Sequence, residues 1–260
     1  MQEKRFSRAI VRRPCRAMTQ GITSAPELGK PDHALACRQH DAYLAALERC
    51  GLEVTVLPPD EQYPDSCFIE DPALVTRCGA ILTNPGAASR NGEKAAVLAA
   101  LQRFFPAESI AKIEPPATLD GGDVMMVGDD FYVGCSARSN AAGIQRLSEI
   151  LAGWGLRCHA VPMAEMLHLK TGVSYLEAGR MLVAGEFVTQ PLFAQFQRIP
   201  VPAEEAYAAN SLWINGTVLV PAGYPATARA VAAAGYDLIQ LEMSEFRKLD
   251  GGLSCLSLRF

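Results

Sequence analysis

One pattern recurs along this chain and limits what it can become: an extended run, a tight turn, a second extended run, then a helix. It occupies residues 67–105, returns at 120–155 and appears again at 211–236. In the third copy Asn215-Gly216 sits between apolar runs, the pairing that suits a two-residue hairpin turn. The helical stretches carry the right spacing. Val97, Leu98, Leu101, Phe104 and Phe105 share one face of a helix over 93–105. Ile144, Leu147, Ile150 and Leu151 do the same over 140–151. A single extended run follows each helix: SIAKIEPP, RCHAVP and DLIQLEM. A fourth hairpin reads from GVSYLEAGRMLVAGEF at 172–187. The first unit is assembled from AIVRRP, a helix over 32–50, LEVTVLPP and the last strand of the chain. About five ββαβ-like units result. A repeat longer than 20 residues points to a solenoid or a radial array, and radial packing of five units leaves a central cavity with short, protected edges. The expected fold class is α/β, built as one domain over 1–260, with two α/β domains split near residue 155 as the alternative.

Size permits this. A chain of 260 residues with 49% apolar content buries a sizeable core without staples. The start, MQEKRFSRAIVRRPCR, is charged and broken by Pro14, unlike a signal peptide. No apolar run approaches the ~18 residues of a membrane span. Eight scattered cysteines with no C-x-x-C pair read as reduced thiols, mostly core filler, in a cytoplasmic protein. The formal net charge of -4 gives a nucleic-acid partner no support.

Several polar residues resist a purely structural account. In PDSCFIEDP, Asp65, Glu70 and Asp71 flank an apolar run, where buried carboxylates need partners; turns at both ends would explain the same letters. In TLDGGDVMMV, Asp120 and Asp123 bracket a glycine pair that admits close approach of a ligand, or the stretch is a loop with capping aspartates. His168, in MLHLKTG, is either a packed histidine or a proton carrier. Arg90 and Arg138 fall at equivalent points in two repeats, just after a hairpin, and are either solvated or aimed at one side of the array. Cys255 follows Gly251-Gly252 in an apolar tail, DGGLSCLSLRF, that docks as the closing strand.

Together these residues compose a nucleophile with its acid/base. Cys255 reacts as a thiolate and His168 takes or delivers protons. Crowded acids raise a thiol's pKa, which is harmful unless the substrate is a cation. A guanidinium would pair with the acids, while Arg90 and Arg138 would fork a carboxylate at the other end. Such a ligand is an arginine-like amino acid.

SCFIEDP, TLDGGDVMMVGDDFYVG, SARSN, LHLKTG, AANSLWING and DGGLSCLSLRF, in that order, resemble the dimethylarginine dimethylaminohydrolases of the guanidino-group modifying, or pentein, superfamily. The resemblance runs from about residue 9 to 260. It implies a five-bladed α/β propeller of ββαβ-like units around a central active-site cavity. It also implies hydrolysis of Nω-methylated L-arginines to L-citrulline and a methylamine, with no metal or organic cofactor. On this sequence Cys255 matches the nucleophile, His168 the general acid/base and Asp120 the acid that orients it. Asp65, Glu70 and Asp71 match substrate-side acids, with Asp71 gripping the guanidinium. Arg90 and Arg138 match the carboxylate clamp. Ile22 stands where the family uses a Leu carbonyl near the α-amino group, and Leu249 at a further substrate-lining position. Residues 18–30, with Gly21 and Gly29, form a candidate lid.

The expected partner is a small molecule, with neither nucleic acid nor membrane, and a homodimer is compatible with the sequence. Two other activities stay open: an arginine deiminase-type hydrolase that releases ammonia, and a catalytically silent methylarginine-binding protein. A zinc site on the first helix, from His33, Cys37 and His40 at i, i+4 and i+7, competes with core packing along the same stripe through Leu44 and Leu47.

Overall fold

The computed structural model describes residues 5–260. The chain opens with β1 (Arg8–Arg12), α1 (His33–Arg49) and β2 (Glu53–Leu57). Next come β3 (Ala73–Thr76), β4 (Gly79–Leu82), α2 (Lys94–Leu101) and β5 (Ile110–Lys112). Then follow β6 (Val124–Val127), β7 (Asp130–Cys135), α3 (Ala141–Gly153) and β8 (Arg157–Pro162). The fourth repeat holds α4 (Leu169–Gly172), β9 (Val173–Tyr175), β10 (Arg180–Val183) and β11 (Gln197–Pro200). The last comprises β12 (Leu212–Ile214), β13 (Thr217–Pro221), α5 (Pro225–Ala233) and β14 (Asp237–Leu241), followed by α6 (Ser244–Arg247) and β15 (Leu258–Arg259).

These strands form five three-stranded sheets. In each, the middle strand pairs antiparallel with one neighbour and parallel with the other. In four sheets a tight turn joins the antiparallel pair and a longer crossover the parallel one, whereas β1 takes its antiparallel partner β15 from the far end of the chain. The α/β class and the five-unit reading therefore hold.

The chain divides into two compact units. One comprises Met1–Ile69 and Val201–Phe260, the other Glu70–Pro200. Within the first unit β15 completes the sheet of β1 and β2, with Ala9 opposite Arg259 and Ile10 opposite Leu258. The tail is thus ordered, as the sequence led us to expect. α1 lays Ala36, Tyr43, Leu44 and Leu47 into a core with Ala9, Val11, Leu219 and Leu256. The polar tip of Tyr43 is satisfied at 2.6 Å by Ser257 Oγ. Each fully buried side chain of this size contributes about 1.5–3 kcal/mol. Asp32 caps α1 by accepting the Leu35 N–H at 2.8 Å. The Asn215-Gly216 turn has φ of 48° and 98°, as a mirror-image hairpin turn requires. Asn215 also accepts the Arg5 and Phe6 N–H groups and donates to Phe6 O and Cys50 O, which ties the hairpin to the first repeat.

In the second unit β4, β7 and β10 are the buried middle strands, and their outer parallel partners are more exposed. Leu147, Ile150 and Leu151 of α3 pack on Phe131 and Val133 as their spacing predicts. β7 and β8 pair in parallel across residue 155, so the unit runs unbroken through that point. Two expectations need correction here. α2 ends at Leu101, and the partly exposed Phe104 and Phe105 lie beyond it. The fourth repeat has no long helix after its hairpin. Short 3-10 turns at Gly185–Thr189 and Pro191–Phe193 connect β10 to β11, because Pro191 cannot donate into a continuing helix. All eight cysteines are free thiols, but only Cys15, Cys50 and Cys67 are buried, so core filler describes fewer than half of them. Among the described residues no helix is long and apolar enough to cross a membrane.

Candidate active site

In the second unit six of the singled-out residues lie on turns at strand or helix ends. Glu70 and Asp71 lead into β3, and Asp120 precedes the turn into β6. Arg90 and Arg138 follow β4 and β7, the equivalent positions expected from the repeats. His168 immediately precedes α4.

Asp71 is a hub. Its Oδ1 accepts the Gly122 N–H at 2.9 Å and its Oδ2 accepts Arg90 Nη1 at 2.5 Å. Its main-chain oxygen takes Gly121 N and Thr83 Oγ1. Burial alone would raise this carboxyl, but Arg90, His168 and the Gly122 N–H together hold it below the ordinary range. The paired glycines explain the crowding. A Cβ on Gly122 would lie 2.9 Å from both Asp71 Oδ1 and His168 Nδ1, and one on Gly121 would lie 2.1 Å from Glu70 O. The glycines thus admit the protein's own groups, where the sequence had suggested a ligand.

His168 Nε2 donates to Asp120 Oδ2 at 2.9 Å. Asp120 is fully buried, and its Oδ1 accepts Gly86 N at 2.8 Å. Burial works against an imidazolium here. The charge of Asp71, the Asp120 hydrogen bond and the charge of Asp123 outweigh it, and the His168 pKa rises to about 9. His168 therefore carries its proton at neutral pH. Arg138 Nη1 is 3.8 Å from the same Asp120 Oδ2, with a side chain 19% exposed. Arg90 differs from an open clamp: its side chain is 6% exposed and also engages both oxygens of Glu93. Glu70 pairs with Lys170 at 2.5 Å. Asp71, Asp120 and His168 offer ligand atoms all within 4.8 Å of one another. A protonated imidazole, however, has no lone pair for a metal on its ring nitrogens. The α1 stripe goes mostly to packing. His40, Leu44 and Leu47 are buried, while Cys37 Sγ lies 3.4 Å from His33 Nε2.

In the first unit Ile22, Asp65 and Leu249 come together. Asp65 Oδ1 accepts the Ile22 N–H at 3.0 Å. A Cβ on Gly21 would meet Asp65 Oδ1 at 2.8 Å and Leu249 Cδ1 at 2.9 Å. The 18–30 loop is tied at Ser24, whose N–H and Oγ reach the Asp250 carboxylate at 2.6 and 2.8 Å. Cys255 lies on a 3-10 turn, Ser254–Leu256, where its Sγ accepts the Gly252 N–H at 3.4 Å.

Sequence reasoning missed the supports of that turn. Asn210 accepts the Ser254 N–H at 3.0 Å and donates to Ser254 Oγ at 3.1 Å. Tyr207 donates to Gly251 O at 2.7 Å. A Cβ on Gly251 would lie 2.1 Å from Phe68, and one on Gly252 would lie 2.4 Å from the Asn210 side chain. The glycines at this turn are packing requirements. Glu93 and Lys170, the counter-charges in the other unit, also went unnoticed. They sit among ordinary surface-like letters, and only the fold buries Glu93 and brings Lys170 to Glu70.

A family model described as N,N dimethylarginine dimethylhydrolase, eukaryotic, matches residues 27–187. The N(G),N(G)-dimethylarginine dimethylaminohydrolase of Pseudomonas aeruginosa is 50% identical over 255 residues, which cover 98% of this chain and 100% of that protein. The chain belongs to the dimethylarginine dimethylaminohydrolase family. Membership makes it a hydrolase, and dimethylarginine dimethylaminohydrolase structures share its fold. One is the Pseudomonas aeruginosa protein as a cysteine-to-serine variant complexed with citrulline. It matches with a TM-score of 0.96 and 50% identity, covering 98% of this chain and 99% of that one. Another is a dimethylarginine dimethylaminohydrolase with a histidine-to-glycine change, captured as an adduct with S-methyl-L-thiocitrulline. It also has a TM-score of 0.96, over 98% of this chain and 100% of that one.

Proposed function

We propose that this protein hydrolyses Nω-methylated L-arginines, asymmetric dimethylarginine and monomethylarginine, to L-citrulline and dimethylamine or methylamine. The observation that carries the reading is the end-to-end match to an enzyme of that name. In the structures of relatives, moreover, the altered histidine and cysteine are spaced along the chain as His168 and Cys255 are here.

The chemistry follows from the groups. The Cys255 thiolate attacks the guanidinium carbon and forms a C–S bond. The C–N bond to the methylated nitrogen breaks, and the amine leaves with the proton of the His168 imidazolium. An S-alkylthiouronium remains. Neutral His168 then takes a proton from water, whose oxygen attacks the same carbon. The C–S bond breaks, the thiolate is restored, the second water proton passes to solvent and citrulline departs. A histidine whose pKa stands near 9 enters the first step with its proton in hand. Asp71 suits the guanidinium because its charge persists in a buried setting. Asp65 adds negative charge on the substrate side, and Glu70, paired with Lys170, leads into Asp71. Arg138, 3.8 Å from Asp120 and partly exposed, is the group for the α-carboxylate, while Arg90, bound by Asp71 and Glu93, holds Asp71 in place. Ile22 offers its carbonyl to the α-amino group, and Leu249 lines the alkyl chain. Such positioning supplies several of the roughly 7–11 kcal/mol open to orientation effects.

The activity is proposed for residues 1–260 as one catalytic domain, with no metal or organic cofactor required. A cytoplasmic location belongs to the same proposal, and light scattering decides whether the protein is a homodimer. The test of function is product analysis with asymmetric dimethylarginine and arginine side by side. Citrulline with dimethylamine is expected. Ammonia from arginine at a comparable rate would instead make it a deiminase, and binding without turnover a silent receptor. Cys255→Ser should abolish turnover and keep substrate binding; near wild-type citrulline production by that variant overturns the assignment.

A further inference from the structure

We propose that Asp123 is a positioning residue that sets His168 and Arg138 jointly, one carboxylate fastening the turn that carries the arginine and the main-chain step that follows the histidine. This rests on the roles given to His168 and Arg138 above and adds the element that holds them in register.

The bonds run as follows. Asp123 is fully buried. Its Oδ2 accepts Ser136 Oγ at 2.5 Å and Ser139 Oγ at 2.6 Å. Its Oδ1 accepts the Leu169 N–H at 3.0 Å, directly after His168. Ser136 Oγ in turn accepts the N–H groups of Arg138 at 3.0 Å and Ser139 at 3.2 Å. Ser139 Oγ accepts the N–H of Asp120 at 3.1 Å, and Asp120 is the partner of His168. The backbones of Arg138, Leu169 and Asp120 are thus one or two hydrogen bonds from a single side chain. β7 is shaped to admit it: a Cβ on Gly134 would lie 3.0 Å from Asp123 Oδ1 and 3.0 Å from Leu169 Cβ.

The use of a charge needs its own reason. All three donors to Asp123 are neutral, and among the described residues it forms no ion pair with lysine or arginine. Burial raises its pKa, and His168 opposes that rise before the two serines do. In return, the Asp123 charge is among the influences that raise His168. A neutral acceptor would serve the turn, but only an anion also helps to keep the imidazole protonated.

Two variants separate the arms. Ser136→Ala removes the link to the Arg138 turn and leaves the Asp123 charge. It should raise KM for asymmetric dimethylarginine about tenfold, the value of the Ser136–Asp123 hydrogen bond that fastens the turn, with kcat and the pH profile unmoved. It should leave unchanged the turnover of an N-alkyl-N′,N′-dimethylguanidine that has no α-carboxylate, and Ser136→Thr, which keeps a hydroxyl, should restore KM. Asp123→Asn should lower the His168 pKa, read by NMR titration, by about one unit. An unmoved His168 titration in Asp123→Asn, or Ser136→Ala impairing both substrates equally, overturns the proposal. If Asp123→Asn does not fold, the Ser136 pair of variants decides. Failure of the functional reading would look different: wild-type protein forming no citrulline while the titration difference persists.

Discussion

Asp120→Asn probes the proton that the mechanism depends on. Asp120 uses both oxygens: Oδ2 faces His168 Nε2 at 2.9 Å and Oδ1 accepts Gly86 N at 2.8 Å. An asparagine has one acceptor oxygen, so it can serve one of these donors but not both. The net negative charge is lost in either case. A hydrogen bond to a charged group is worth about 1.5–3 kcal/mol, or about 1–2 pKa units at 1.36 kcal/mol each. The His168 pKa should therefore fall from about 9 to roughly 7–8. Asp71 and Asp123 stay in place and prevent a full return to the ordinary value. In the wild type, activity that needs the imidazolium is lost as pH rises through about 9; in the variant the alkaline limb of kcat/KM moves down by the same one to two units. Initial rates of citrulline formation across this range, paired with NMR titration of His168, measure both. Arg138 also loses its neighbour at 3.8 Å, so KM changes too, but that does not move the limb. A limb that stays in place while the protein remains folded would refute the charge argument.

Gly122→Ala should lower kcat/KM about 100-fold and cost about 1–3 kcal/mol, because the new methyl would stand 2.9 Å from both Asp71 Oδ1 and His168 Nδ1; wild-type rates from this variant would contradict the crowding. Asn210→Ala should destabilise the folded state by about 2 kcal/mol in urea melts, since two hydrogen bonds to Ser254 are lost. His40 is fully buried with neither ring nitrogen bonded among the described residues, and burial, followed by Arg13, lowers its pKa to about 4. Its contribution is complete above the unfolded value of about 6.5 and is lost as pH falls toward 4, an effect of about 3 kcal/mol. His40→Leu should flatten the melting temperature over that window, and an unchanged acid slope would show that another group is responsible.

The repeat was legible in the letters because each unit restates the same local instructions. Apolar alternation, the Asn215-Gly216 turn and the spacing of Leu147, Ile150 and Leu151 act over a few residues, so they can be read without the fold. The fourth repeat misled for the same reason: its hairpin was plain, but Pro191 and the 3-10 turns replaced a helix that the neighbouring repeats would suggest. Cys255, His168, Asp120, Asp71 and Arg138 stood out because ionisable or reactive groups beside glycines and apolar runs demand partners. Which partners they have is a different matter. That Arg90 is taken up by Asp71 and Glu93, that Lys170 balances Glu70, and that Gly121 and Gly122 make room for protein atoms all depend on segments far apart in the chain. Asp123 looked like half of an ordinary capping pair, and its three donors come from residues 136, 139 and 169. Sequence alone determined the chemical inventory and the architecture that could display it. Tertiary structure decided which charges are spent on one another and which proton is held at neutral pH, because burial and through-space charge act over distances in three dimensions that spacing along a chain does not encode.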